Sequence, residues 1–387
     1  MTAVALVTYS TKPRGGVVHT VCLGEALVRE GLDVEVIALG DPAAGFFRPV
    51  AVPHRFLPAP AHLDTLEERV MASVDALADG LRRMADAGDL PPILHTQDCI
   101  SARAAVRVRD EGMPVRVLRT VHHVDDFTTP ALIECQLRSI LDPDRCFVVS
   151  RMWQQRLFDE YGVVAEVVGN GVDVDRFAAA PSRARLAARR AEVGATGRFL
   201  VLSVGGIEPR KGSDHLVRSL ALLADRLDHR PVLAVVGGHS FQDHRAYREN
   251  VLASLPALGL ELGRDVVLLG TVPDGDLPCW YHAADVFAFP SVNEGFGLAV
   301  LEALAAGTPT VVADLPVFRE YLTYGRDVLA VPPGDDTALA DALHCIATDP
   351  SLRGRLAGAG RQVAARFTWT RAAEQHLAVY RSLPPLP

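Results

Sequence analysis

Short apolar runs and stretches of helical periodicity alternate along most of the chain. Residues 3–8 form an apolar run typical of a buried strand, and a loop that contains glycine follows at residues 10–16. Apolar residues then recur at helical spacing over residues 17–31, before a second apolar run at residues 34–39. This strand–helix–strand order favours a parallel, doubly wound sheet.

The same alternation returns after residue 198, which predicts a second α/β half in tandem with the first. A long amphipathic helix is predicted over residues 66–84, and a final helix begins near residue 368. Further apolar runs that predict buried strands lie at residues 115–121, 146–150, 199–204, 232–236, 266–269, 286–289 and 310–312, and another strand is predicted near residue 328. Residues 93–98 are predicted to be a strand whose end carries polar groups. Two Rossmann-like halves account for this pattern.

The most informative stretch is a polar turn between a predicted strand and a predicted helix. The turn contains Glu294, Gly295, Phe296 and Gly297, and the helix begins at Leu298. The first turn of a helix carries unpaired N–H groups and partial positive charge. Because glycine lets an anion approach the backbone closely, the turn predicts a site for an anionic ligand.

Two carboxylates flank this predicted anion site. Glu294 has the same sign as a phosphate, so it is better suited to accept hydrogen bonds from hydroxyls. Glu302 lies eight residues further on, which corresponds to roughly 12 Å along a helix. That separation argues against the carboxyl pair of a retaining glycosidase, which is about 5–5.5 Å apart. A ligand with hydroxyls at both ends and phosphate between them, such as a sugar nucleotide, fits the arrangement.

Two further loops carry candidate groups for an anion. Gly16 begins a predicted helix beside Lys12 and Arg14, which fits an anion site, although many βα turns use glycine only to turn tightly. Arg210 and Lys211 follow another predicted strand, where their charges would neutralise a diphosphate.

A histidine pair follows the predicted strand at residues 115–121. His122 and His123 precede Asp125 and Asp126, at the carboxyl end of a strand where parallel sheets bind ligands. The residues alone leave three interpretations open: a structural histidine, a ligand-contacting histidine or a metal site shared with the aspartates.

Residues 290–312, PSVNEGFGLAVLEALAAGTPTVV, resemble the signature of the retaining GT-B-fold glycosyltransferases of family GT4, the glycosyl transferases group 1. The resemblance implies an α/β GT-B fold, in which two Rossmann-like doubly wound domains face a central cleft. It also implies that Glu294 contacts the donor sugar and Glu302 the nucleotide ribose. His122, rather than His123, would line the donor-sugar site.

On this resemblance the predicted catalytic residues are His122, Lys211 and Glu294. The predicted donor-binding residues come from three loops and one helix: Gly16, Arg210, Lys211, Glu294, Gly295, Phe296, Gly297 and Glu302. The resemblance implies no metal ligand, and no cofactor apart from a nucleoside-diphosphate sugar as co-substrate.

Two positions depart from the family's pattern. Gly206 stands where the family has an arginine, so either Arg210 supplies the second positive charge or helix N–H groups replace it. Gly169 replaces a proline in the segment that resembles PNGVDxxxF. Asp173 and Asp175 mimic the metal-binding DxD motif of GT-A enzymes, but their place at a domain exit favours a structural turn.

The resemblance also divides the chain. Residues 1–176 are the predicted N-terminal, acceptor-side domain, and the returning C-terminal helix 368–387 is expected to pack on it. Residues 177–198 are a predicted linker region with an arginine-rich helix. Residues 199–367 are the predicted donor domain.

Composition fits this picture. The chain has 387 residues, 49% of them hydrophobic and 22% charged, which is enough for two globular domains. A net charge of −8 disfavours a nucleic-acid partner. Six scattered cysteines indicate reduced thiols, and a signal peptide and a transmembrane run are not predicted, so a cytoplasmic location is expected.

The sequence thus predicts a retaining, metal-independent glycosyltransferase that uses a nucleoside-diphosphate sugar and a small-molecule or glycan acceptor. Three alternatives on the same fold stay open: a nucleotide-sugar epimerase, a phosphorylase and a non-catalytic sugar-nucleotide sensor. The donor's base and sugar, the acceptor and the oligomeric state are not predicted.

Overall fold

The chain forms two compact units. The structure is a computed structural model, and the residues that it describes are 3–61, 63–238, 242 and 244–384. By internal contacts, one unit consists of residues 1–171 with 369–387, and the other consists of residues 172–368. Whether the predicted domain limits mark independently folding parts stays a prediction.

Within the described residues, the first unit has a seven-stranded parallel sheet. Its strands are β1 (Val4–Thr8), β2 (Val34–Leu39), β3 (His54–Leu57), β4 (Ile93–Thr96), β5 (Arg116–Val121), β6 (Arg145–Val148) and β7 (Ala165–Val167). They lie in the order β3-β2-β1-β4-β5-β6-β7, so the succession of strands reverses between β1 and β4. Open parallel sheets bind ligands at the carboxyl ends of the strands beside such a reversal.

The second unit repeats this design with a six-stranded parallel sheet in its described part. Its strands are β8 (Leu200–Val204), β9 (Val232–Val236), β10 (Val266–Gly270), β11 (Val286–Phe289), β12 (Thr310–Ala313) and β13 (Leu329–Val331). They lie in the order β10-β9-β8-β11-β12-β13, so the reversal falls between β8 and β11. The loops after these two strands contain Lys211 and Glu294.

Helices connect the strands. In chain order they are α1 (Gly15–Arg29), α2 (Leu66–Asp86), α3 (Cys99–Asp110), α4 (Pro130–Leu141), α5 (Arg151–Tyr161), α6 (Val174–Ala178), α7 (Arg183–Glu192), α8 (Ser213–Ala224), α9 (Arg245–Ser254), α10 (Leu277–Ala283), α11 (Leu298–Ala306), α12 (Pro316–Arg319), α13 (Asp336–Thr348), α14 (Pro350–Ala364) and α15 (Trp369–Ser382). None of the helices in the described ranges is long and apolar enough to cross a bilayer. Each predicted apolar run lies in a strand, whereas β3 and β7 were not predicted.

The central strands of both sheets are buried on two faces, which explains their continuous apolar runs. Every residue of β1 and of β9 is buried. In the second unit, Val201, Leu233 and Val286 of the sheet share one core cluster with Leu220 of α8 and Leu343 of α13. This core fixes the strand ends, so the loops that follow them have defined positions.

The arginine-rich helix of the predicted linker is anchored to the second unit. Arg190 of α7 donates hydrogen bonds to the carboxylate of Asp285 at 3.0 Å and to the carbonyl oxygen of Ala283 at 2.7 Å. Arg185 forms an ion pair with Asp276 at 3.2 Å. These arginines therefore hold α7 in place rather than forming an unpaired basic surface.

The C-terminal helix α15 packs in the first unit, against α1, and residues 385–387 of the predicted returning helix lie outside the described residues. The ring of His376 stacks on Phe147 with centroids 5.7 Å apart. Tyr380 is hydrogen-bonded through its hydroxyl to His95 Nδ1 at 2.6 Å. Trp369 lies edge-on to His19 at 5.5 Å. The helix thus closes a buried cluster of histidines.

These buried histidines should make the first unit sensitive to acid. Burial lowers the pKa of His19 to about 4 and that of His376 to about 3. Because the unfolded chain protonates near pH 6.5, stability present above that pH is lost as the pH falls towards the folded values. By pH 5 each group should cost roughly 2 kcal/mol of unfolding free energy.

Urea unfolding at pH 7 and pH 5 tests this expectation. His376→Phe keeps an aromatic ring but cannot titrate, so its loss of stability between the two pH values should be roughly 2 kcal/mol smaller than that of the wild type. His54→Phe, at an exposed position of the same unit, provides a control for the exchange of histidine for phenylalanine. Parallel pH dependences for wild type and His376→Phe would show that the idea is wrong.

Candidate functional site

Two strand-end loops of the second unit touch through their backbones. The loop after β8 contains the short 3-10 turn Pro209–Lys211, and the N–H of Val292, in the loop after β11, donates to the Arg210 carbonyl oxygen at 2.9 Å. Gly212 has a φ of +62°, and a Cβ there would lie 2.3 Å from the Pro290 carbonyl oxygen. Only glycine permits this approach, which brings the charged side chains of the two loops together.

Those charged side chains form a half-buried ion-pair cluster. Lys211 Nζ lies 2.7 Å from Glu294 Oε2, and each of these two side chains is only 12% exposed. Nη1 of Arg210 lies 3.6 Å from the same oxygen, and its Nε lies 3.1 Å from Glu208 Oε2. The structure therefore brings three of the predicted site residues into contact, as two cations around one carboxylate.

The ammonium group of Lys211 is in an unfavourable place without a counter-charge. Burial lowers the pKa of Lys211, and the positive charge of Arg210 lowers it further, whereas Glu294 raises it. The ammonium also lies 4.3 Å from the centre of the Phe289 ring, a favourable cation–π distance. A bound anion at this position would stabilise the charged lysine in the same way as Glu294 does.

The glycines of the predicted turn have distinct roles. Gly297 is the N-cap of α11 with a φ of +93°, and a Cβ there would lie 2.7 Å from the Phe318 ring. The N–H of Gly295 donates to Glu294 Oε1 at 3.2 Å. The first intrahelical bond runs from Val300 N to the Gly297 carbonyl oxygen, so the amides of Leu298 and Ala299 precede it and can serve an anion.

Phe296 anchors the turn at residues 294–297 by packing against Tyr321. Its side chain is 8% exposed, and its ring is stacked on Tyr321 with centroids 5.1 Å apart. The Tyr321 hydroxyl donates to the Phe296 carbonyl oxygen at 2.9 Å. The ring is thus used in packing, and a donor contact by Phe296 stays a prediction.

Glu302 has a different partner from Glu294. The hydroxyl of Tyr281, on α10, donates to Glu302 Oε2 at 2.8 Å. Burial raises the pKa of Glu302 to about 7, although the Tyr281 hydrogen bond and the charge of Arg176 both lower it. The carboxyl group therefore changes its charge near neutral pH.

The structure explains why no side chain occupies position 206. Gly206 has a φ of +76°, and a Cβ on it would lie 2.8 Å from the Gly238 carbonyl oxygen. Gly237 has a φ of +140°, and a Cβ there would lie 2.3 Å from the Gly206 nitrogen. The ends of β8 and β9 approach too closely for an arginine with this backbone. Sequence reasoning noticed the departure at 206 and the glycines 237 and 238 after the strand at 232–236, but not that these positions meet.

In the first unit, the predicted residues Gly16 and His122 lie together at the carboxyl ends of the strands. They follow β1 and β5, and a Cβ on Gly16 would lie 3.5 Å from His122 Cδ2. Gln97, which follows β4 between them, places its Oε1 3.1 Å from His122 Nε2. Burial, with nearby positive charges, lowers the pKa of His122 well below its usual value, so the ring is neutral.

Two of the aspartates that the sequence offered as metal ligands, Asp125 and Asp173, have protein partners instead. The exposed His123 lies 3.3 Å from Asp125, and Asp173 caps α6 by accepting from Arg176 N at 3.1 Å. Over the described ranges, no three or more His, Cys, Asp or Glu side chains are grouped so that they could hold a metal ion. Metal-independence of the reaction stays a prediction.

Two family models match most of the chain. Residues 13–176 match the model for Glycosyltransferase Family 4, and residues 184–363 match the model for Glycosyl transferases group 1. D-inositol 3-phosphate glycosyltransferase of Kribbella flavida is 33% identical over 313 residues, which cover 75% of this chain and 71% of that protein.

The enzyme of the same name from Saccharomonospora viridis is 40% identical over 235 residues, 58% of this chain and 52% of that protein. The chain therefore spans about half the length of that relative. Among solved structures, HepE of Anabaena in complex with UDP and glucose is 18% identical, with a TM-score of 0.82 over 99% of this chain and 100% of that one. The predicted α/β GT-B fold with two doubly wound halves is confirmed.

The crowding at position 206 can be tested with two alanine variants. Gly206→Ala and Gly270→Ala both place a Cβ on a residue with positive φ, which costs of order 1–3 kcal/mol. A Cβ on Gly270 meets no atom within 4 Å, whereas a Cβ on Gly206 meets a carbonyl oxygen. Gly206→Ala should therefore lower the melting temperature more than the matched Gly270→Ala. Equal melting temperatures would contradict the steric explanation.

Proposed function

This chain belongs to glycosyltransferase family 4, and from that premise we propose that it transfers a glycosyl group from a nucleoside-diphosphate sugar to an acceptor hydroxyl. The observation that carries the proposal is the cluster of Lys211, Arg210 and Glu294 beside the first turn of α11. It combines positive charge, open amides and a carboxylate within one loop pair. Those are the groups that a sugar diphosphate needs.

The diphosphate is the group that gains most negative charge as the glycosidic bond breaks. Lys211 and the first amides of α11 would stabilise that charge, because fixed donors in a half-buried site need little reorganisation. As the diphosphate draws the lysine towards itself, Glu294 regains the lone pairs now used by Lys211 Nζ. The carboxylate can then accept hydrogen bonds from hydroxyls of the sugar.

Glu302 and His122 are assigned to other hydroxyls. The carboxylate of Glu302, oriented by Tyr281, is suited to accept from the hydroxyls of the nucleotide's ribose. His122 is neutral and keeps one ring nitrogen for a substrate hydroxyl. The roles of all these residues are parts of the proposal.

We propose that transfer retains the configuration at the anomeric carbon and needs no metal ion. The bond between the anomeric carbon and the diphosphate oxygen breaks, and the acceptor oxygen bonds to that carbon on the same face. The acceptor's proton passes to the departing phosphate oxygen, so that no enzymic base is required. Lys211 takes the place of a metal as the compensating charge.

The relatives' names suggest an acceptor to test first. Because two relatives are named D-inositol 3-phosphate glycosyltransferases, inositol 3-phosphate should be offered with nucleoside-diphosphate sugars of each base. Thermal-shift screening against free nucleotides would identify the base beforehand, since a ligand of the folded state raises the melting point. A glycosylated inositol phosphate detected by mass spectrometry would support the proposal.

A non-catalytic sugar-nucleotide sensor is the second candidate, and the glycine at position 206 favours it because the site lacks the family's arginine. Incubation with the donor alone separates the candidates. An epimerase would isomerise the donor, and a transferase would at most hydrolyse it slowly. Tight nucleotide binding without turnover over a broad acceptor panel would identify a sensor.

Removal of the lysine charge should affect turnover more than binding. We expect Lys211→Met to lower kcat by about 10²–10³-fold, the effect of losing one donor to a developing anion. Arg226→Met is the matched control, because it removes the exposed partner of Asp341 in the same unit. Lys211→Met turnover within a factor of about three of the wild type would contradict the assignment.

Donor affinity should also depend on pH through Glu302. If the carboxylate is the form that binds the ribose, the dissociation constant should rise about tenfold between pH 8 and pH 6, because the pKa is about 7. Tyr281→Phe removes a hydrogen bond that lowers this pKa, so the same change should occur at higher pH. Glu302→Gln should bind more weakly and without this pH dependence. Isothermal titration with the nucleotide measures the dissociation constant of the wild type and of both variants. A wild-type pH profile in Glu302→Gln would refute the role of the Glu302 carboxylate in ribose binding.

A further inference from the structure

Gln97 occupies the point of strand reversal in the first unit. It directly follows β4, the neighbour of β1, at the edge where the Gly16 loop and His122 meet. Its N–H donates to the Val7 carbonyl oxygen at 3.0 Å and lies 3.3 Å from Ser101 Oγ. The residue is 2% exposed. Gln97 is therefore buried, and two neighbouring elements hold its backbone in place.

The contact of Gln97 with His122 determines which ring nitrogen carries the proton. A neutral imidazole has one N–H donor and one acceptor nitrogen. Gln97 Oε1 is a carbonyl oxygen and can only accept, so His122 must donate from Nε2 across the 3.1 Å contact. Nδ1 is then the acceptor, and among the described residues it has no hydrogen-bond partner and is not enclosed.

We propose that Gln97 is a positioning residue, which holds His122 in the Nε2–H tautomer so that Nδ1 accepts a hydrogen bond from a substrate hydroxyl. This inference rests on the proposed function, because it assigns His122 to a substrate. The inference adds how Gln97 selects the tautomer of His122 that can make this contact. Gln97 itself does not touch the substrate.

The surroundings of His122 exclude the doubly protonated ring and leave only the choice of tautomer. His19 of α1 lies edge-on with ring centroids 4.7 Å apart. Arg119 of β5, His95 of β4 and His123 of the following loop act on His122 through their charges, and with His19 and burial they lower its pKa. Because the pKa of His122 lies well below its usual value, the ring is neutral at physiological pH.

A second feature supports a fixed orientation. His19 donates from Nδ1 to Asn170 Oδ1 at 2.5 Å, so the neighbouring ring is also locked by an amide oxygen. Both rings are then held by accepting amides from different elements. The edge of His19 packs against His122, which restricts the rotation of His122.

Two substitutions of Gln97 test the proposal. Gln97→Met has similar length and removes the acceptor, so it should yield a mixture of His122 tautomers in the nitrogen spectrum of ¹⁵N-histidine-labelled protein, in which the wild type shows Nε2–H. kcat should fall about tenfold with little change in the donor KM. Gln155→Met, on the exposed face of α5, is the matched control and should leave both readouts unchanged.

Gln97→Glu places a carboxylate where the amide was. The carboxylate should favour the doubly protonated ring, which has no acceptor nitrogen, so the acid limb of the kcat/KM profile should move to higher pH. A purely structural role of Gln97 would not move this profile. Melting temperatures of both variants show that they fold.

The outcomes separate this inference from the proposed function. An Nδ1–H tautomer in the wild type, or an unchanged His122 spectrum in Gln97→Met, would overturn the inference. A changed tautomer with unaltered kcat and pH profile would keep the tautomer assignment but remove His122 from the reaction. If the wild type shows the Nε2–H tautomer of His122 but transfers sugar to none of the acceptors in the panel, the result would count against the proposed function alone.

Discussion

The second unit's site depends on compensating one largely buried positive charge, that of Lys211. Lys211 is largely withdrawn from water and lies near Arg210, so its ammonium needs an anion. Glu294 supplies that anion, but only because the loops after β8 and β11 touch at Gly212 and Pro290. The backbone contact fixes the distance between Lys211 and Glu294, and that distance determines how strongly the carboxylate stabilises the ammonium. Under the proposed function, the carboxylate and a diphosphate would be alternative partners of the lysine.

The sequence was most informative where a structural feature is local in the chain. Continuous apolar runs are required for strands that are buried on both faces, and those runs predicted the central strands. The edge strands β3 and β7 were missed because they are short and half exposed, with charged residues such as Arg55 and Glu166 inside them. Glu294 and the glycines after β11 were found because one turn places them together at the start of a helix, a position that favours anions.

The site residues that were missed are those whose partners are distant in sequence. Tyr281 orients Glu302 from another helix, and Gln97 contacts His122 from a neighbouring strand end. The Gly237–Gly238 pair has meaning only once β9 is known to lie beside β8. A single sequence contains no signal for such contacts, because they depend on strand order rather than on spacing. The sequence therefore identified the candidate side chains but not the residues, such as Tyr281 and Gln97, that contact and orient them.

The glycine at position 206 changes how the site can hold an anion. An arginine side chain there would extend from the end of β8, but the close approach of Gly238 leaves no room for it. Arg210, four residues later, keeps a guanidinium in the loop, yet it already lies between Glu208 and Glu294. Under the proposed function, an incoming diphosphate would have to compete with two carboxylates for that guanidinium. Among the described residues, Lys211 forms an ion pair with Glu294 alone, and the first amides of α11 contact no carboxylate, so under the proposed function these groups would contribute most to anion binding.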